Sequence, residues 1–335
     1  MLTFGTAQAD PGETATGRLH AGETRDGAAF GLPVAAVNGA TDGPTLYIQA
    51  GSDGDELNGL AVVRSVMRRL NPATMAGQVL VVGILNYHGF QRAEHRNPLD
   101  DTKLNRAFPG DPSGTSSERL AHLVYTQGVQ RADLAIDLHQ GGTKRMLNEV
   151  RVRCGPDHRL HDACLQLARV FGTAYILDEK GPDGQLARAA PDDGIPLIDP
   201  ELGGTVGWDA TSIEVGVQGV MNVLAHYGLI DDAPVPPPKQ LRATGFEAVC
   251  AGRGGLVDWA VDLGDRVDAG DRLFAVTDVF GAVKEVVEAP VQGIVWRMRR
   301  LPMVATGEQV LKLGTGIAPL PAVHDASSGS DGSPT

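Results

Sequence analysis

The sequence predicts an α/β fold, with a mixed, mostly parallel sheet covered by helices on both faces and a small all-β domain after it. Up to residue 233, short apolar runs typical of buried strands alternate with longer segments of helical periodicity. This alternation is typical of a sheet with helices on its faces. From residue 241 the runs become short and are separated by glycines, which indicates a second, all-β domain.

The first elements follow in order from the N-terminus. Two edge strands are expected within residues 15–40, where short apolar clusters stand among glycine and proline, and a further strand at residues 45–50. Residues 59–70 place apolar side chains at helical spacing, which predicts a helix. The continuous apolar run at residues 78–85 is typical of a strand that is covered on both faces.

Two more helices and three more strands complete this part of the chain. The helix expected at residues 116–130 opens with a serine cap and carries Glu118 early, as helix starts do. A second amphipathic helix is expected at residues 161–175. The remaining strands are expected at residues 134–139, 194–204 and 211–216.

Composition shifts divide the chain into a domain of residues 1–233, a stiff proline-rich linker at 234–240, a β-domain at 241–316 and a disordered tail at 317–335. The segments GDRVDAGDRL and APVQGIV resemble the barrel-sandwich hybrid of biotinyl and lipoyl domains. The Met-Lys-Met hairpin that such carriers modify is missing, and Lys284 is interpreted as a surface lysine. A carrier function is therefore disfavoured.

The composition limits the classes of partner. The chain has 335 residues and a net charge of −12 with dispersed acidic residues, so it lacks the basic face that a nucleic-acid partner requires. No stretch reaches transmembrane length, and the N-terminus lacks the features of a signal peptide. Cys154, Cys164 and Cys250 follow no Cys-x-x-Cys spacing and are interpreted as reduced, buried thiols. We expect a soluble cytoplasmic protein without membrane contact, and the sequence leaves a homo-oligomer open.

Metal-ligating side chains follow two of the predicted strands. The strand at 45–50 breaks into a glycine-rich loop that carries Asp53 and Glu56, and the strand at 134–139 ends in His139. Acidic side chains three residues apart can converge on one point, and the carboxyl ends of parallel strands are where active residues meet. A histidine there would complete a three-ligand metal site with a position open for water. This arrangement is typical of metal hydrolases.

Four sequence motifs, taken in their order along the chain, resemble those of a known protein family. The segments AGSDGDELNG (50–59), LNRAFPG (104–110), DLH (137–139) and ELGG (201–204) fall in an order that resembles the succinylglutamate desuccinylase/aspartoacylase family. The resemblance spans roughly residues 40–315. It implies a carboxypeptidase-like fold and zinc-dependent hydrolysis of an amide bond in a small N-acyl amino acid or related N-acyl amine.

Two residues depart from the family pattern. Asp53 stands where the family has its first histidine ligand, and Lys103 stands where an acidic residue often precedes Leu-Asn-Arg. With Asp53, Glu56 and His139 as ligands, a divalent cation leaves the site neutral, and two carboxylates shift its preference from zinc toward manganese or iron. Three outcomes stay open: an active enzyme with altered metal choice, an active enzyme with weak zinc affinity, and a metal-free binding protein.

The resemblance also implies the catalytic roles. Glu201 matches the general base that takes a proton from the attacking water and passes it to the leaving amine, with Glu214 as a competing candidate. Arg96 matches the arginine that polarises the scissile carbonyl, and Arg92 is its alternative because the register of this loop is ambiguous. Asp137 is expected to orient His139 or to serve as a cap or ion-pair partner.

The resemblance implies a small substrate that bears a carboxylate. Asn105 and Arg106 match the family's pair that grips this carboxylate, and the planar guanidinium of arginine suits that task. The same carboxylate site would serve a carboxypeptidase-like enzyme that cleaves a short peptide. That activity and the metal-free binder are the alternatives to amide hydrolysis of an N-acyl amino acid.

Overall fold

The computed structural model of the chain describes residues 1–142, 144–204, 207–235 and 239–321. Its helices are α1 (Asn58–Arg69), α2 (Tyr87–Arg92), α3 (Ser116–Gln127), α4 (His161–Phe171), α5 (Leu186–Asp192) and α6 (Ala210–His226). Its first strands are β1 (Leu2–Phe4), β2 (Ala7–Ala9), β3 (Glu13–Glu23), β4 (Ala29–Asn38), β5 (Thr41–Ala50), β6 (Ala76–Val82), β7 (Leu134–Leu138), β8 (Arg145–Met146), β9 (Glu149–Val152), β10 (Tyr175–Asp178) and β11 (Leu197–Glu201). The later strands are β12 (Leu241–Ala243), β13 (Gly245–Cys250), β14 (Gly255–Trp259), β15 (Arg266–Val267), β16 (Arg272–Thr277), β17 (Val283–Glu288), β18 (Gly293–Met298), β19 (Met303–Val304), β20 (Gln309–Thr315) and β21 (Ala318–Pro319).

Ten strands form one large mixed sheet, in the order β21-β12-β10-β9-β11-β7-β5-β6-β4-β3. The pairs β6–β5, β5–β7, β7–β11, β9–β10 and β10–β12 are parallel. The outer pairs β4–β6 and β3–β4 are antiparallel, as is β9–β11 within the sheet. The predicted mixed, mostly parallel sheet is confirmed, and so is the pair of strands at its edge.

Helices cover both faces of this sheet, as predicted. On one face α1, α4 and α6 pack over a core that includes Val62, Phe171 and Val220. On the other face α3, α5 and the β1–β2 hairpin pack over a second core. Because alternate side chains of a strand point to opposite faces, Tyr47 enters the second core while its neighbour Ile48 enters the first.

The strand predicted at residues 211–216 is wrong, because this segment forms the first part of α6. Asp209 caps the helix by accepting hydrogen bonds from the backbone N–H groups of Thr211 and Ser212. The apolar positions then continue at helical spacing through Val217 and Val220. A six-residue window was too short to distinguish this period from that of a strand.

Two helix ends also differ from the prediction. The N-cap of α3 is Thr115, and its side chain forms a capping box with Glu118. Helix α4 ends at Phe171, four residues before the predicted end, because Gly172 adopts a left-handed conformation with φ of 94°. Glycine is favoured at such a C-cap, and the following residues begin β10.

Two antiparallel sheets form most of the C-terminal part. One contains β13, β20, β18 and β15, and the other contains β17, β16, β14 and β19. Val249, Val276 and Leu313 from the two sheets share one apolar core, which agrees with the barrel-sandwich expectation. Lys284 is exposed on β17, and its ammonium donates to the carbonyl of Gly254.

The N-terminal part of the chain contributes a strand to a C-terminal sheet, and the C-terminal part contributes strands to the large sheet. Strand β8 pairs with β18 of the C-terminal sheet, while β12 pairs with β10 at the edge of the large sheet. Strand β21 pairs with β12, so the first residues of the segment predicted as a tail from residue 317 are ordered by backbone hydrogen bonds. Residues 322–335 of that tail and 236–238 of the linker lie outside the described residues. The domain boundaries stay a prediction.

Two smaller findings concern the cysteines and the helices. Cys154 and Cys164 are buried, but Cys250 is exposed, so the prediction of three buried thiols is wrong for the last. Cys250 ends β13, where the register of the strand pair shifts. None of the helices within the described ranges is long and apolar enough to cross a membrane.

Candidate active site

The predicted metal ligands meet where three neighbouring strands end. Strands β5, β7 and β11 lie side by side and run parallel, so the loops that follow them leave the same edge of the sheet. The loop after β5 carries Asp53 and Glu56, and His139 directly follows β7. One ligand atom from each of these buried residues lies within 4.8 Å of the others.

The two ring nitrogens of His139 face different carboxylates. Its Nδ1 lies 3.0 Å from Oε2 of Glu56 and 3.6 Å from Oδ2 of Asp53. Its Nε2 lies 3.1 Å from Oδ2 of Asp137. The contact fits both roles predicted for Asp137, since a carboxylate at Nε2 both pairs with the ring and leaves Nδ1 facing Asp53 and Glu56.

Buried hydrogen bonds hold this arrangement in place. Oδ1 of Asp137 accepts from Nε2 of Gln49 at 2.9 Å and from the hydroxyl of Ser52 at 3.2 Å. Oε2 of Glu56 accepts from the backbone N–H of Gln140 at 2.9 Å. The ligands are thus positioned by a network that spans the loop after β5 and the end of β7.

The two ligand carboxylates have opposite pKa shifts. Burial raises the pKa of Asp53, but His139, Lys103 and His95 outweigh burial and lower it to about 2. Burial and the charge of Asp53 raise the pKa of Glu56 to about 7. Burial thus disfavours a second negative charge beside Asp53, and a divalent cation held between the two carboxylates would relieve that cost.

The donor set fits a divalent metal ion. Asp53 is fully buried and its carboxylate oxygens have no hydrogen bond of good geometry among the described residues, although Oδ2 forms an ion pair with Lys103 at 3.2 Å. Buried polar atoms without partners call for a specific explanation, and a cation held jointly with Glu56 and Nδ1 of His139 supplies one. Two carboxylates and an imidazole suit zinc, and also manganese or iron.

Glu201, the predicted base, lies beside this group. It is the last residue of β11 and forms a parallel bridge with His139. Its Oε1 forms an ion pair with Arg151, while its buried Oε2 has no hydrogen-bond partner within the described ranges. Burial raises the pKa of Glu201, but Arg151 and then His139 outweigh burial and hold it below its usual range. Glu201 is therefore an ionised carboxylate with one oxygen free to accept a proton.

A chain of buried polar contacts joins Glu201 to the C-terminal sheet. Arg151 contacts Glu149 at 2.7 Å on its other side. Glu149 in turn accepts a hydrogen bond from Nε1 of Trp296, a fully buried residue of β18. The C-terminal sheet thus fixes the far end of the ion-pair chain that positions the predicted base.

Only one of the two residues predicted to bind a substrate carboxylate faces the cavity. Arg106 lines the cavity beside the ligands. Asn105 is buried and its side chain is engaged elsewhere, with Nδ2 at 3.0 Å from Nε2 of His139 and Oδ1 accepting from the backbone of Leu186. Asn105 therefore holds the start of α5, whereas Arg106 is the member of the pair that lines the cavity.

Arg96, the predicted carbonyl-polarising residue, lies outside the cavity in this structure. Its side chain is 57% exposed and donates to the carbonyl of Asp101. Arg92 is 61% exposed and forms an ion pair with Glu94 at 3.0 Å. Neither arginine lines the cavity. In this loop the side chain that lines the cavity belongs to the residue before Arg96.

That residue is His95, which the sequence reasoning missed. Its Nδ1 lies 2.9 Å from Oδ1 of Asp55, and its Nε2 lies 3.5 Å from Oδ1 of Asp53. The hydrogen bond to Asp55 raises the pKa of His95, and this outweighs the effect of burial. The sequence shows a histidine beside Arg96 in the segment Glu-His-Arg (94–96). It does not show which of these side chains points into the cavity.

Two other acidic residues differ from expectation. The sequence does not point to Asp199 as a site residue. It is buried two residues before Glu201, and its Oδ1 has no hydrogen-bond partner among the described residues. Burial raises the pKa of Asp199 to about 6. Glu214, the alternative base, is 71% exposed on α6 and pairs with Arg69 at 3.6 Å, so it lies outside the site.

Glu56, Glu201 and His95 line a cavity of about 520 Å³. Its walls come from both parts of the chain, with Arg106 and Arg153 on one side and Trp296, Arg297 and Lys312 of the C-terminal sheet on the other. A cavity of this volume accommodates a small molecule. The C-terminal sheets therefore complete the wall of the site.

Comparisons with known proteins agree with this geometry. Residues 42–227 match the model of the succinylglutamate desuccinylase/aspartoacylase catalytic domain. The N-alpha-acetyl-L-2,4-diaminobutyric acid deacetylase of Halomonas elongata is 30% identical over 259 residues, which cover 74% of each chain.

Two solved structures share the fold over nearly the whole chain. The product-bound ectoine utilization protein EutE (DoeB) from Ruegeria pomeroyi has a TM-score of 0.83 at 26% identity, covering 92% of this chain and 97% of that one. A succinylglutamate desuccinylase/aspartoacylase from Rhodobacter sphaeroides has a TM-score of 0.80 at 25% identity, covering 92% and 96%.

Proposed function

This chain belongs to the succinylglutamate desuccinylase/aspartoacylase family, and from that premise we propose that it is a metal-dependent amidohydrolase. Its proposed substrate is a small N-acyl amino acid or related N-acyl amine, which loses its acyl group. The observation that carries the proposal is the convergence of Asp53, Glu56 and His139 within 4.8 Å, with Glu201 bridged to His139 and lining the same cavity as Glu56.

The proposed cofactor is one divalent metal ion, with zinc as the first candidate. Asp53, Glu56 and Nδ1 of His139 would hold it. Such an ion supplies Lewis-acid chemistry, since it acidifies a water molecule and polarises the carbonyl of the amide. Manganese and iron are the alternatives, because two carboxylates make a harder ligand set than one.

Glu201 is the proposed proton carrier. Its ion pair with Arg151 fixes Oε1, so the unpartnered Oε2 is the atom that accepts a proton from the attacking water. The same atom then donates that proton to the leaving amine. His95 lines the cavity, and its ring is hydrogen-bonded to Asp55. We propose His95, in place of Arg96, as the hydrogen-bond donor to the oxygen of the scissile carbonyl.

The cavity favours a substrate that bears a carboxylate. Among the described residues, seven lysine and arginine side chains line it against four carboxylates. The cationic residues are Lys103, Arg106, Lys144, Arg151, Arg153, Arg297 and Lys312. Arg106 is the proposed anchor, since its planar guanidinium can donate two parallel hydrogen bonds to a carboxylate.

A specific contact favours the metal-free binder as the second candidate. Nζ of Lys103 lies 3.2 Å from Oδ2 of Asp53, so an ammonium group already neutralises one of the three proposed ligands. In a metal-free protein the cavity would bind an acyl amino acid through its cations without turning it over.

Metal content separates these candidates. Purified protein and a Glu56→Ala variant would be analysed by inductively coupled plasma mass spectrometry, and both would then be tested with N-acyl amino acids and short peptides. About one equivalent of metal, lost in the variant, together with release of an amino acid from an N-acyl substrate supports the proposal. Cleavage of peptides alone indicates the carboxypeptidase-like activity. No metal after incubation with zinc, manganese or iron overturns the proposal in favour of the binder.

A further inference from the structure

Lys103 reaches into the proposed metal site from the loop that precedes Asn105. Its Nζ lies 3.2 Å from Oδ2 of Asp53, and this is the carboxylate oxygen that also lies closest to Nδ1 of His139, at 3.6 Å. Asp53 is fully buried, whereas the side chain of Lys103 is 31% exposed. The lysine thus enters from the cavity and contacts a ligand atom directly.

The charges of these residues explain why the contact matters. Asp53 and Glu56 as carboxylates with a neutral His139 bring two negative charges, so a divalent cation leaves the ligand set neutral. The ammonium of Lys103 adds one positive charge in contact with Asp53. Lys103 therefore adds one positive charge to an occupied ligand set that is otherwise neutral, and this charge favours an anionic substrate and the charge that develops on a scissile carbonyl.

Contact with Lys103 also affects how strongly Asp53 binds a cation. A carboxylate has about four lone-pair positions on its two oxygens, so Asp53 can hold an ammonium and a metal ion together. The ammonium nevertheless repels a second cation at short range, and in a buried site this repulsion is weakly screened.

We propose that Lys103 sets the charge of the metal site. Its ammonium holds Asp53, lowers the affinity of the site for a divalent cation and adds one positive charge to the occupied ligand set. Lys103 acts through Asp53 and is a positioning residue. The inference rests on the proposed function, because it concerns the cation which that function requires.

Binding of zinc alone tests this inference without any substrate. Zinc affinity would be measured by competition with a chelating dye for the wild-type protein and for Lys103→Met, with folding checked by circular dichroism. We expect Lys103→Met to bind zinc about tenfold more tightly, because a cation beside the ligand has been removed. Loss of a merely structural contact would weaken binding, so the direction of the change is diagnostic.

Two further variants sharpen the result. Lys144→Met removes the same charge from the wall of the same cavity, and Lys144 has no ion pair with Asp53 among the described contacts; its effect should be much smaller. Lys103→Arg keeps the charge and should restore an affinity close to that of the wild type. Equal tightening by both methionine variants would overturn the specific role of Lys103.

The outcomes also separate this inference from the proposed function. If the wild type binds no zinc but Lys103→Met does, the inference is supported and the proposed function is not. If the wild type binds zinc and Lys103→Met binds it equally or more weakly, the inference alone is overturned. If neither protein binds zinc, both are overturned.

Discussion

Oδ2 of Asp137 lies 3.1 Å from Nε2 of His139, on the edge of the imidazole opposite to the one that faces Glu56. Both residues are buried at the end of β7. The other oxygen of Asp137 is occupied by Gln49 and Ser52. Asp137 therefore accepts hydrogen bonds on both sides, and the imidazole has one orientation in which Nδ1 faces Asp53 and Glu56.

Replacing Asp137 by Asn should weaken metal binding. An amide can accept on one side only, so its NH₂ group would face a donor on the other. Loss of such a partner typically costs about 10- to 100-fold in metal affinity. Zinc competition with a chelating dye measures this, and Asp183→Asn, whose carboxylate is 95% exposed, serves as the control. Equal affinity in the two variants would contradict the orienting role.

Replacing Glu201 by Gln should remove turnover but preserve metal binding. Glutamine keeps the shape of the side chain but cannot accept the proton, so kcat should fall about 10²- to 10⁴-fold. Metal content by mass spectrometry should stay at the wild-type level. The matched control is Glu214→Gln on the exposed face of α6, which should leave kcat unchanged. Retained turnover in Glu201→Gln would refute the assignment of the base.

The neighbours His95 and Arg96 provide a direct test of which side chain of this loop acts on the substrate. His95→Ala removes a donor from the cavity, and the loss of one such donor lowers kcat about 10²-fold. Arg96→Ala removes an exposed side chain and should leave kcat unchanged. Steady-state kinetics on any N-acyl substrate that the protein cleaves distinguishes the two. A large loss in Arg96→Ala alone would restore the sequence-based assignment.

The main features of the fold could be predicted because its signals are strong and local. Continuous apolar runs predicted β6 and β7, and amphipathic spacing predicted α1, α3 and α4. Strands β9 and β10 were missed since each has four residues, and Glu149 and Arg151 in β9 are charged. Those charges are satisfied by Trp296 and Glu201, partners that lie far away in sequence.

The convergence of the three candidate ligands could also be predicted, because they lie on the chain segments that follow two parallel strands, and parallel strands end at the same edge. The register of the loop before Leu104 could not. Whether His95 or Arg96 turns inward depends on the hydrogen bond of His95 to Asp55 and on a bridge between Asn97 and Thr102. These contacts form only in the folded chain. The approach of Lys103 to Asp53 likewise depends on folding.

Helix α6, part of which was predicted as a strand, packs closely against α4, and this packing can be tested through the stability of the protein. A Cβ atom added at Gly219 would lie 2.4 Å from the ring of Phe171, a buried residue of α4. Alanine stabilises a helix interior by about 1 kcal/mol relative to glycine, but overpacking a core costs about 1–3 kcal/mol. We therefore expect Gly219→Ala to lower the free energy of unfolding, as measured with urea. Adding Phe171→Leu should make room for the new methyl group, so the double variant should be more stable than the sum of the two changes predicts.

Metal binding should become stronger as the pH rises from about 6 to 8. The pKa of Glu56 is raised to about 7 by burial and by Asp53. The pKa of His139 is raised above its usual value: burial lowers it, but Asp137 and Asp199 outweigh burial. Both residues therefore hold protons at the acidic end of this range, and a metal ion must displace them, which weakens binding about tenfold per pH unit for each proton released.

Isothermal titration calorimetry in buffers with different ionisation enthalpies counts these protons. We expect more protons to be released per zinc bound at pH 6 than at pH 8, because Glu56 has already lost its proton at the higher pH. A Glu56→Gln variant should lack the component that titrates near pH 7, even though its affinity is lower. Zinc binding that releases the same number of protons at both values of pH would show that Glu56 is not the ligand whose proton the metal displaces.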